Sequence, residues 1–170
     1  AAVLAVYLSR SDASVGSRAI ARRVFFRAVF TEGPVESVLV GEALDRLGLA
    51  AGRQLVPCAI EVGTTDLPAT VAAVEDAVRA ECGAAVATDV VGGVLVVIAV
   101  PAGRALDGAE LGRKVAGGIA GPLARRRAST GCVVVGEVAD DVMSLRARVD
   151  DLRSDLALVP QAPGAAVPGV

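Results

Sequence analysis

Apolar and polar residues form blocks along the chain, and the period of each block indicates one kind of secondary structure. Leu55–Val62 alternates with a period of two and predicts a strand. Ala84–Val100 is an apolar run with Gly92-Gly93 near its middle, which predicts two strands joined in a hairpin. Cys132–Val138 predicts a further strand. The apolar face of the first strand is formed by Val56, Cys58, Ile60 and Val62.

Helical spacing predicts two helices before these strands. The first covers residues 1–32, and Glu32-Gly33-Pro34 ends it. Its apolar positions are Ile20, Val24, Phe26, Ala28, Val29 and Phe30, with Arg18, Arg22, Arg23 and Arg27 between them. The second begins at Pro34 and ends at Gly48. Its predicted apolar face consists of Val35, Val38, Leu39, Ala43 and Leu47.

Three more helices follow the first strand. Thr70 is the predicted N-cap of a helix that ends at about Cys82 and contains Val71, Val74 and Val78. Ala109–Arg127 is a weaker helix, because each of its glycines costs about 1 kcal/mol relative to alanine and Pro122 is expected to kink it. Asp140 or Asp141 caps the last helix. The apolar stripe of that helix is Leu145, Val149, Leu152 and Leu156.

The order of these elements predicts an α+β fold. From Leu55 the order is β-α-β-β-α-β and then α, which is typical of a ferredoxin-like antiparallel sheet with two helices on one face. We therefore expect residues 1–50 to form a helical arm or linker and residues 51–159 the sheet domain. Residues 160–170 are rich in proline, glycine and alanine and are expected to be a disordered tail or linker.

Composition excludes several classes of function. A net charge of −2 provides no electrostatic footprint for nucleic acid. The absence of histidine removes Ser-His and Cys-His pairs and every zinc site that contains histidine. Cys58, Cys82 and Cys132 form no CxxC pair, so we expect buried free thiols in a reducing compartment. Ala84–Val100 suits two buried strands better than a membrane span, and the chain is predicted to be cytoplasmic.

Two further motifs have structural interpretations that are favoured over functional ones. Gly117-Gly118-Ile119-Ala120-Gly121 resembles part of a phosphate loop, but it does not follow a strand, so close packing of the helix is the better explanation. Arg125-Arg126-Arg127 lies at a helix C-terminus, where cations are favourable, and no aromatic platform accompanies it. The leucine stripe of the last helix is interpreted either as core packing or as a dimer face.

Four stretches of the chain resemble the GGDEF-like middle domain of PucR/CdaR-type bacterial transcription regulators. They are ARRVFFRAVFTEG, VESVLVGEALDRLGLAAGRQLVPCAIEV, GGVLVVIAVPAG and CVVVGEVADDVMSLRARVDDLRSDLAL, and together they cover about Arg22–Leu158. The composition also resembles actinobacterial sequences of high GC content. Glu137 departs from the family pattern, in which a glycine is more usual at that position, and no helix-turn-helix follows Leu158. Because the sequence begins without methionine, we expect it to be a fragment.

The resemblance implies a cyclase-like fold without cyclase chemistry. Catalytic cyclases of the GGDEF type carry acidic residues directly after the two glycines, where this chain has Val94 and Leu95. Glu61 or Asp89 alone does not make a two-metal site, because several carboxylates must converge on the cations. We therefore expect no catalytic residue, no cofactor and no metal, with Gly92 and Gly93 retained as elements of a degenerate hairpin.

The function implied by the resemblance is regulatory. Such a domain is expected to form a homodimer, to receive a signal from an upstream sensory domain and to pass it to a DNA-binding domain downstream. Leu145, Val149, Leu152 and Leu156 are candidates for the interface. Two alternatives remain: a degenerate nucleotide-binding or cyclase-like enzyme domain, and a stand-alone ferredoxin-like sensor of small molecules.

Overall fold

The computed structural model describes residues 2–31, 37–50, 53–103 and 106–158, with side chains from 16 to 154 within these ranges. Those ranges contain the helices α1 (Ala2–Phe30), α2 (Ser37–Leu47), α3 (Leu67–Cys82), α4 (Gly108–Arg125) and α5 (Val142–Leu158). They also contain the strands β1 (Arg53–Gly63), β2 (Ala84–Val90), β3 (Gly93–Pro101) and β4 (Ser129–Val135). The predicted α+β class is confirmed. The predicted stop at Glu32-Gly33-Pro34 and the predicted tail at 160–170 lie outside the described residues.

The strands form one antiparallel sheet in the order β2-β3-β1-β4. Strand β3 lies between β1 and β2, so that Gly93 pairs with Glu61 on one side and with Val90 on the other. The pairing of β1 with β4 shifts register between Ile60 and Val62. Because side chains alternate along a strand, each strand presents one set of residues to each face of the sheet.

Helices α3 and α4 cover one face of the sheet, which we call the α3/α4 face. The predicted apolar side of β1 lies here, together with alternate residues of β2 and β3. The helices contribute Val71, Val74, Val78, Leu111, Val115, Ile119 and Leu123, all of them buried. Valine and isoleucine suit this position because branched side chains pack well on a pleated surface.

Helices α1, α2 and α5 cover the opposite face, which we call the α1/α2/α5 face. Phe25 and Val29 of α1 are fully buried in one cluster with Leu95 and Val97 of β3. The described part of the segment predicted as an arm therefore packs against the sheet, and its division from the sheet as a separate domain stays a prediction. An apolar cluster on each face means that the central strands are covered on both sides.

The start of α3 differs from the prediction. Asp66, and not Thr70, is the N-cap, and its carboxylate accepts a hydrogen bond from the Ala69 N–H at 3.2 Å. Pro68 sits in the first turn, where its missing N–H is no loss, so the helix begins three residues earlier than Thr70. The Thr70 hydroxyl instead donates to the Asp66 carbonyl oxygen at 2.7 Å.

Asp141 provides the cap for α5, which settles the choice between Asp140 and Asp141. Its carboxylate accepts a hydrogen bond from the Ser144 N–H at 2.7 Å and another from the Ser144 hydroxyl at 2.8 Å. These hydrogen bonds favour the ionised form and lower the pKa of Asp141. The preceding strand β4 starts and ends three residues earlier than predicted.

The apolar face of α2 agrees with the prediction at Ala43 and Leu47 and differs from it at Val38 and Leu39, while Val35 lies outside the described residues. Val40, Ala43 and Leu47 are buried, whereas Val38 and Leu39 are 72% and 49% exposed. Val40, Ala43 and Leu47 are spaced i, i+3 and i+7, so they form one stripe that packs in the α1/α2/α5 cluster.

Within the described part of the chain, no helix is long and apolar enough to cross a membrane.

Candidate functional site

The β2–β3 hairpin uses its two glycines for different structural purposes. Val91 and Gly92 form the turn, and Gly92 has a φ of +86°, a left-handed conformation that favours glycine. Gly93 begins β3, and a Cβ atom at this position would collide with the carbonyl oxygen of Ile60. Gly93 is therefore required by the close approach of two strand backbones.

The positions after the glycines are part of the core. Val94 is fully buried in the α3/α4 cluster, and Leu95 is 1% exposed in the cluster on the opposite face. Neither side chain can ionise or hold a cation. These two positions therefore contribute to packing on both faces of the sheet.

The two carboxylates considered for metal binding lie on opposite faces. Glu61 falls between Ile60 and Val62, which face α3 and α4, so its side chain leaves the other face of β1. Asp89 is in phase with Ala85 and Ala87, which face α3 and α4. Strand β3 also separates the two residues. Among the described residues, no group of three or more Cys, Asp or Glu side chains is placed to hold a metal ion.

Glu61 contacts the edge strand β4 instead. Its carboxylate lies where a Cβ atom of Gly131 would be, so Gly131 leaves room for it. The pKa of Cys132 is raised by partial burial and by its hydrogen bond to Glu61. Burial likewise raises the pKa of Cys58 to about 12, and all three cysteines are free. A raised pKa keeps these thiols protonated near neutral pH, which is the less reactive form.

A buried carboxylate at the β2 edge, that of Glu75, is paired with several arginines, and the sequence analysis missed it. Glu75 of α3 is 5% exposed, and its Oε2 accepts a hydrogen bond from the Ala87 N–H at 2.8 Å. Its Oε1 lies 3.3 Å from Arg18 Nη2, and its Oε2 lies 3.5 Å from Arg22 Nη1. Arg79, one turn further along α3, also pairs with it.

This cluster joins the two helical layers around the edge of the sheet. Glu75 comes from the layer on one face, whereas Arg18 and Arg22 come from α1, which covers the other face. Glu75 also accepts a hydrogen bond from the N–H of Ala87, which belongs to β2, the strand at this edge. A signal was present in the sequence, since Glu75 adjoins the apolar stripe of Val71, Val74 and Val78 and has Arg79 at i+4.

Helices α1 and α5 are in direct contact. The Arg146 guanidinium donates a hydrogen bond from Nη2 to the Ala28 carbonyl oxygen at 2.6 Å, near the end of α1. The guanidinium carbon of Arg153 lies 5.9 Å from the centre of the Phe30 ring, in cation–π geometry. Two charged side chains of α5 therefore hold the C-terminal turns of α1.

Three of the four residues in the leucine stripe of α5 are buried. Leu145 and Val149 are fully buried in the α1/α2/α5 cluster. Leu152 is 3% exposed, and its Cδ1 atom lies 2.9 Å from where a Cβ atom of Gly136 would be. Of the two interpretations, the structure supports core packing for these three residues. The side chain of Leu156 lies outside the described residues.

The glycines of α4 are used unequally. A Cβ atom at Gly118 would come within 2.8 Å of Glu81 Cγ, so Gly118 allows α4 to pack closely against α3. Gly117 faces open space. Nearby, a cavity of about 200 Å³ between the end of α3 and the start of α4 is lined by Cys82 and Lys114 among others.

Three arginines of α1 line an open groove of about 780 Å³ beside β2. We call it the arginine groove; the residues that characterise it are Arg22, Arg23, Phe26, Arg27, Phe30 and Asp89. The rings of Phe26 and Phe30 stack with their centres 5.8 Å apart. Positive charge is therefore concentrated next to an apolar wall.

Fold and site define an α+β protein with one four-stranded antiparallel sheet, helices on both faces and an ionic cluster at the β2 edge. No family model, no curated protein and no solved structure matches this chain.

Proposed function

We propose that this chain is a non-catalytic regulatory module of a PucR/CdaR-like transcription regulator, which transmits a signal between α1 and α5. We assign it a ferredoxin-like arrangement. That assignment is supported by the strand order β2-β3-β1-β4, by antiparallel pairing throughout and by α3 and α4 on a single face. As part of the same proposal, the module is cytoplasmic and works as a homodimer between a sensory and a DNA-binding domain.

The contact between α1 and α5 is the observation that carries this proposal. Phe25 and Val29 share one apolar cluster with Leu145 and Val149, and Arg146 bonds directly to the backbone of α1. Packed interiors transmit displacement because they contain few voids. A shift of α1 along the sheet would therefore move α5 without unfolding either helix.

The hairpin supports the non-catalytic part. Val94 and Leu95 are buried where a cyclase of the GGDEF type would carry acidic residues. Glu61 and Asp89 leave opposite faces of the sheet and cannot converge on one cation. The regulatory role therefore requires no chemistry at this hairpin.

Amide hydrogen exchange tests the transmission. Phe30→Ala removes the ring that contacts Arg153 and stacks on Phe26, so we expect faster exchange in both α1 and α5. Exchange in α4, on the other face, serves as the internal reference. Val38→Ala on α2 is the matched control, because Val38 is 72% exposed and its truncation should leave α5 unchanged. Faster exchange in α1 with no change in α5 would overturn the proposal.

Nucleotide turnover tests the rival enzyme hypothesis. The protein is incubated with Mg²⁺ and GTP or ATP, alongside the Glu61→Gln and Asp89→Asn variants. We expect no turnover in any of the three. Appreciable turnover by the purified protein would refute the non-catalytic assignment, and its loss in one variant would identify the carboxylate that takes part.

A further inference from the structure

We propose that the arginine groove binds a small phosphorylated molecule, and that this molecule is the signal read by α1. The role of this molecule as the signal rests on the proposed function, whereas its binding to the groove can be measured independently. The groove runs between α1 and the β2 edge, and its arginines appear in the sequence only as polar positions of the first helix. Its volume of about 780 Å³ lies within the range of small-molecule sites.

The charge on this face of α1 is unbalanced. Arg18 and Arg22 are paired with the buried carboxylate of Glu75. Arg23 and Arg27 are exposed, and neither is within ion-pair distance of a carboxylate among the described residues. They are four residues apart on one helix face, where like charges repel each other. An anion between them would remove that repulsion.

The spacing of Arg23 and Arg27 favours one type of anion. Side chains at i and i+4 lie about 5–6 Å apart at Cβ, so two long guanidinium side chains can converge on one group. A phosphate monoester carries about two negative charges in a single group and matches the planar donor fork of arginine. A carboxylate carries only one charge at the same point, so the paired arrangement of Arg23 and Arg27 favours phosphate.

The other residues of the groove favour particular groups in the rest of the ligand. Asp89 leaves the sheet on the α3/α4 side, but it belongs to the edge strand β2 and also borders this groove, so its exposed charge would repel a second anionic group there. A hydroxyl or amino group of the ligand could instead donate a hydrogen bond to it. The stacked rings of Phe26 and Phe30 offer an apolar wall to the carbon skeleton. The class of ligand is thus a phosphate ester that also carries hydrogen-bond donors.

The groove is connected to the ionic cluster through one residue. Arg22 lines the groove and also lies 3.5 Å from the Oε2 atom of Glu75. A phosphate bound by Arg23 and Arg27 would attract Arg22 as well, and would change how α1 is attached to the β2 edge. Binding in the groove would therefore alter the helix that contacts α5.

Calorimetric titration tests the site, with glycerol 3-phosphate as the probe and succinate for comparison. We expect saturable binding of one glycerol 3-phosphate per chain and clearly weaker binding of succinate. Arg23→Gln with Arg27→Gln should weaken binding about 100-fold, about tenfold for each charge-assisted contact. Arg125→Gln with Arg126→Gln is the matched control, since it removes the same charge from an exposed helix end. Asp89→Asn should strengthen binding several-fold because it removes a like charge.

The outcomes separate this inference from the proposed function. No saturable binding, or equal weakening in both double variants, would overturn the site, and tight binding of succinate would overturn the choice of phosphate. Circular dichroism of each variant verifies its helix content before titration. A failed titration leaves the exchange experiment on α1 and α5 unaffected. Binding that does not slow amide exchange in α1 would show that the groove is not read by that helix, which overturns its role as the signal site.

Discussion

Replacing Glu75 by glutamine should destabilise the protein, although the new side chain has nearly the same shape. Glutamine can still accept the hydrogen bond from the Ala87 N–H, but it cannot neutralise Arg18, Arg22 or Arg79. The three guanidiniums would then face each other around a neutral amide. The variant therefore isolates the negative charge of Glu75 from its volume.

The expected loss can be estimated from the surroundings of each partner. Breaking a fully buried ion pair costs about 3–5 kcal/mol. The arginine side chains here are 37, 39 and 36% exposed, so water screens them and each pair contributes at most about 1 kcal/mol. Replacing a charged acceptor by a neutral one costs about 1 kcal/mol more. The three ion pairs share one carboxylate, so their contributions are not additive. We therefore expect a total loss of about 2 kcal/mol in the free energy of unfolding, which corresponds to about 4–8 °C in Tm.

Urea unfolding followed by circular dichroism measures this loss. Asp76→Asn is the matched control, because Asp76 is the next residue on α3, is 76% exposed and contacts only Arg79 among the ion pairs of the described residues. Its unfolding free energy should change by less than about 0.5 kcal/mol. If Glu75→Gln is as harmless as Asp76→Asn, the cluster does not hold α1 to the sheet edge, and the reasoning is refuted.

Three further measurements test other parts of the structure. Gly93→Ala should lower the free energy of unfolding in urea by about 2–3 kcal/mol, because its Cβ atom meets the backbone of a neighbouring strand. Gly117→Ala should raise it by about 1 kcal/mol, because its Cβ atom meets open space in a helix. Equal effects would contradict the close backbone approach at Gly93. Asp141→Ala should lower the free energy of unfolding by about 1 kcal/mol at pH values above 3.8, the ordinary pKa of the group. The loss should shrink as the pH falls below 3.8, because the lowered pKa of Asp141 means that its ionised form stabilises the cap. A loss that does not change with pH would refute this. The raised pKa of Cys58, about 12 against 9.0 when unfolded, means that stability is lost as the pH rises above 9.0. Between about pH 8 and about pH 10.5 the wild type should lose about 2 kcal/mol more than Cys58→Ala, and parallel curves would contradict the burial of this thiol.

Features that depend on neighbouring residues could be predicted from the sequence. The alternation in Leu55–Val62 and the glycine pair of the hairpin each identify an element from within a short window, and the structure confirms both. The apolar face of α2 could not be read in this way, because Val38, Leu39 and Val40 are equally apolar and only the position of α1 decides which of them is buried. Local pattern identifies an element better than it identifies the neighbours of that element.

The ionic cluster shows the same limit more strongly. Glu75 and Arg18 are 57 residues apart in the chain, and their pairing depends on α1 passing the β2 edge. Only Arg79, at i+4, is visible as a partner from sequence spacing. The apolar face of α1 has the same limit, since amphipathic spacing shows that a helix has an apolar face and does not show that the sheet will cover it.

The second helical layer gives a physical reason for the apolar residues after Gly92-Gly93. With helices on both faces, β3 is buried on both sides, so Val94 and Leu95 must each be apolar although they point in opposite directions. A carboxylate at either position would be buried among apolar side chains without a partner, at a cost of several kcal/mol. At Leu95, the packing of α1, α2 and α5 onto the sheet is therefore incompatible with the acidic residue that a hairpin of the cyclase type carries. Placing acidic residues directly after Gly92-Gly93 would therefore unfold this part of the sheet rather than create a metal site.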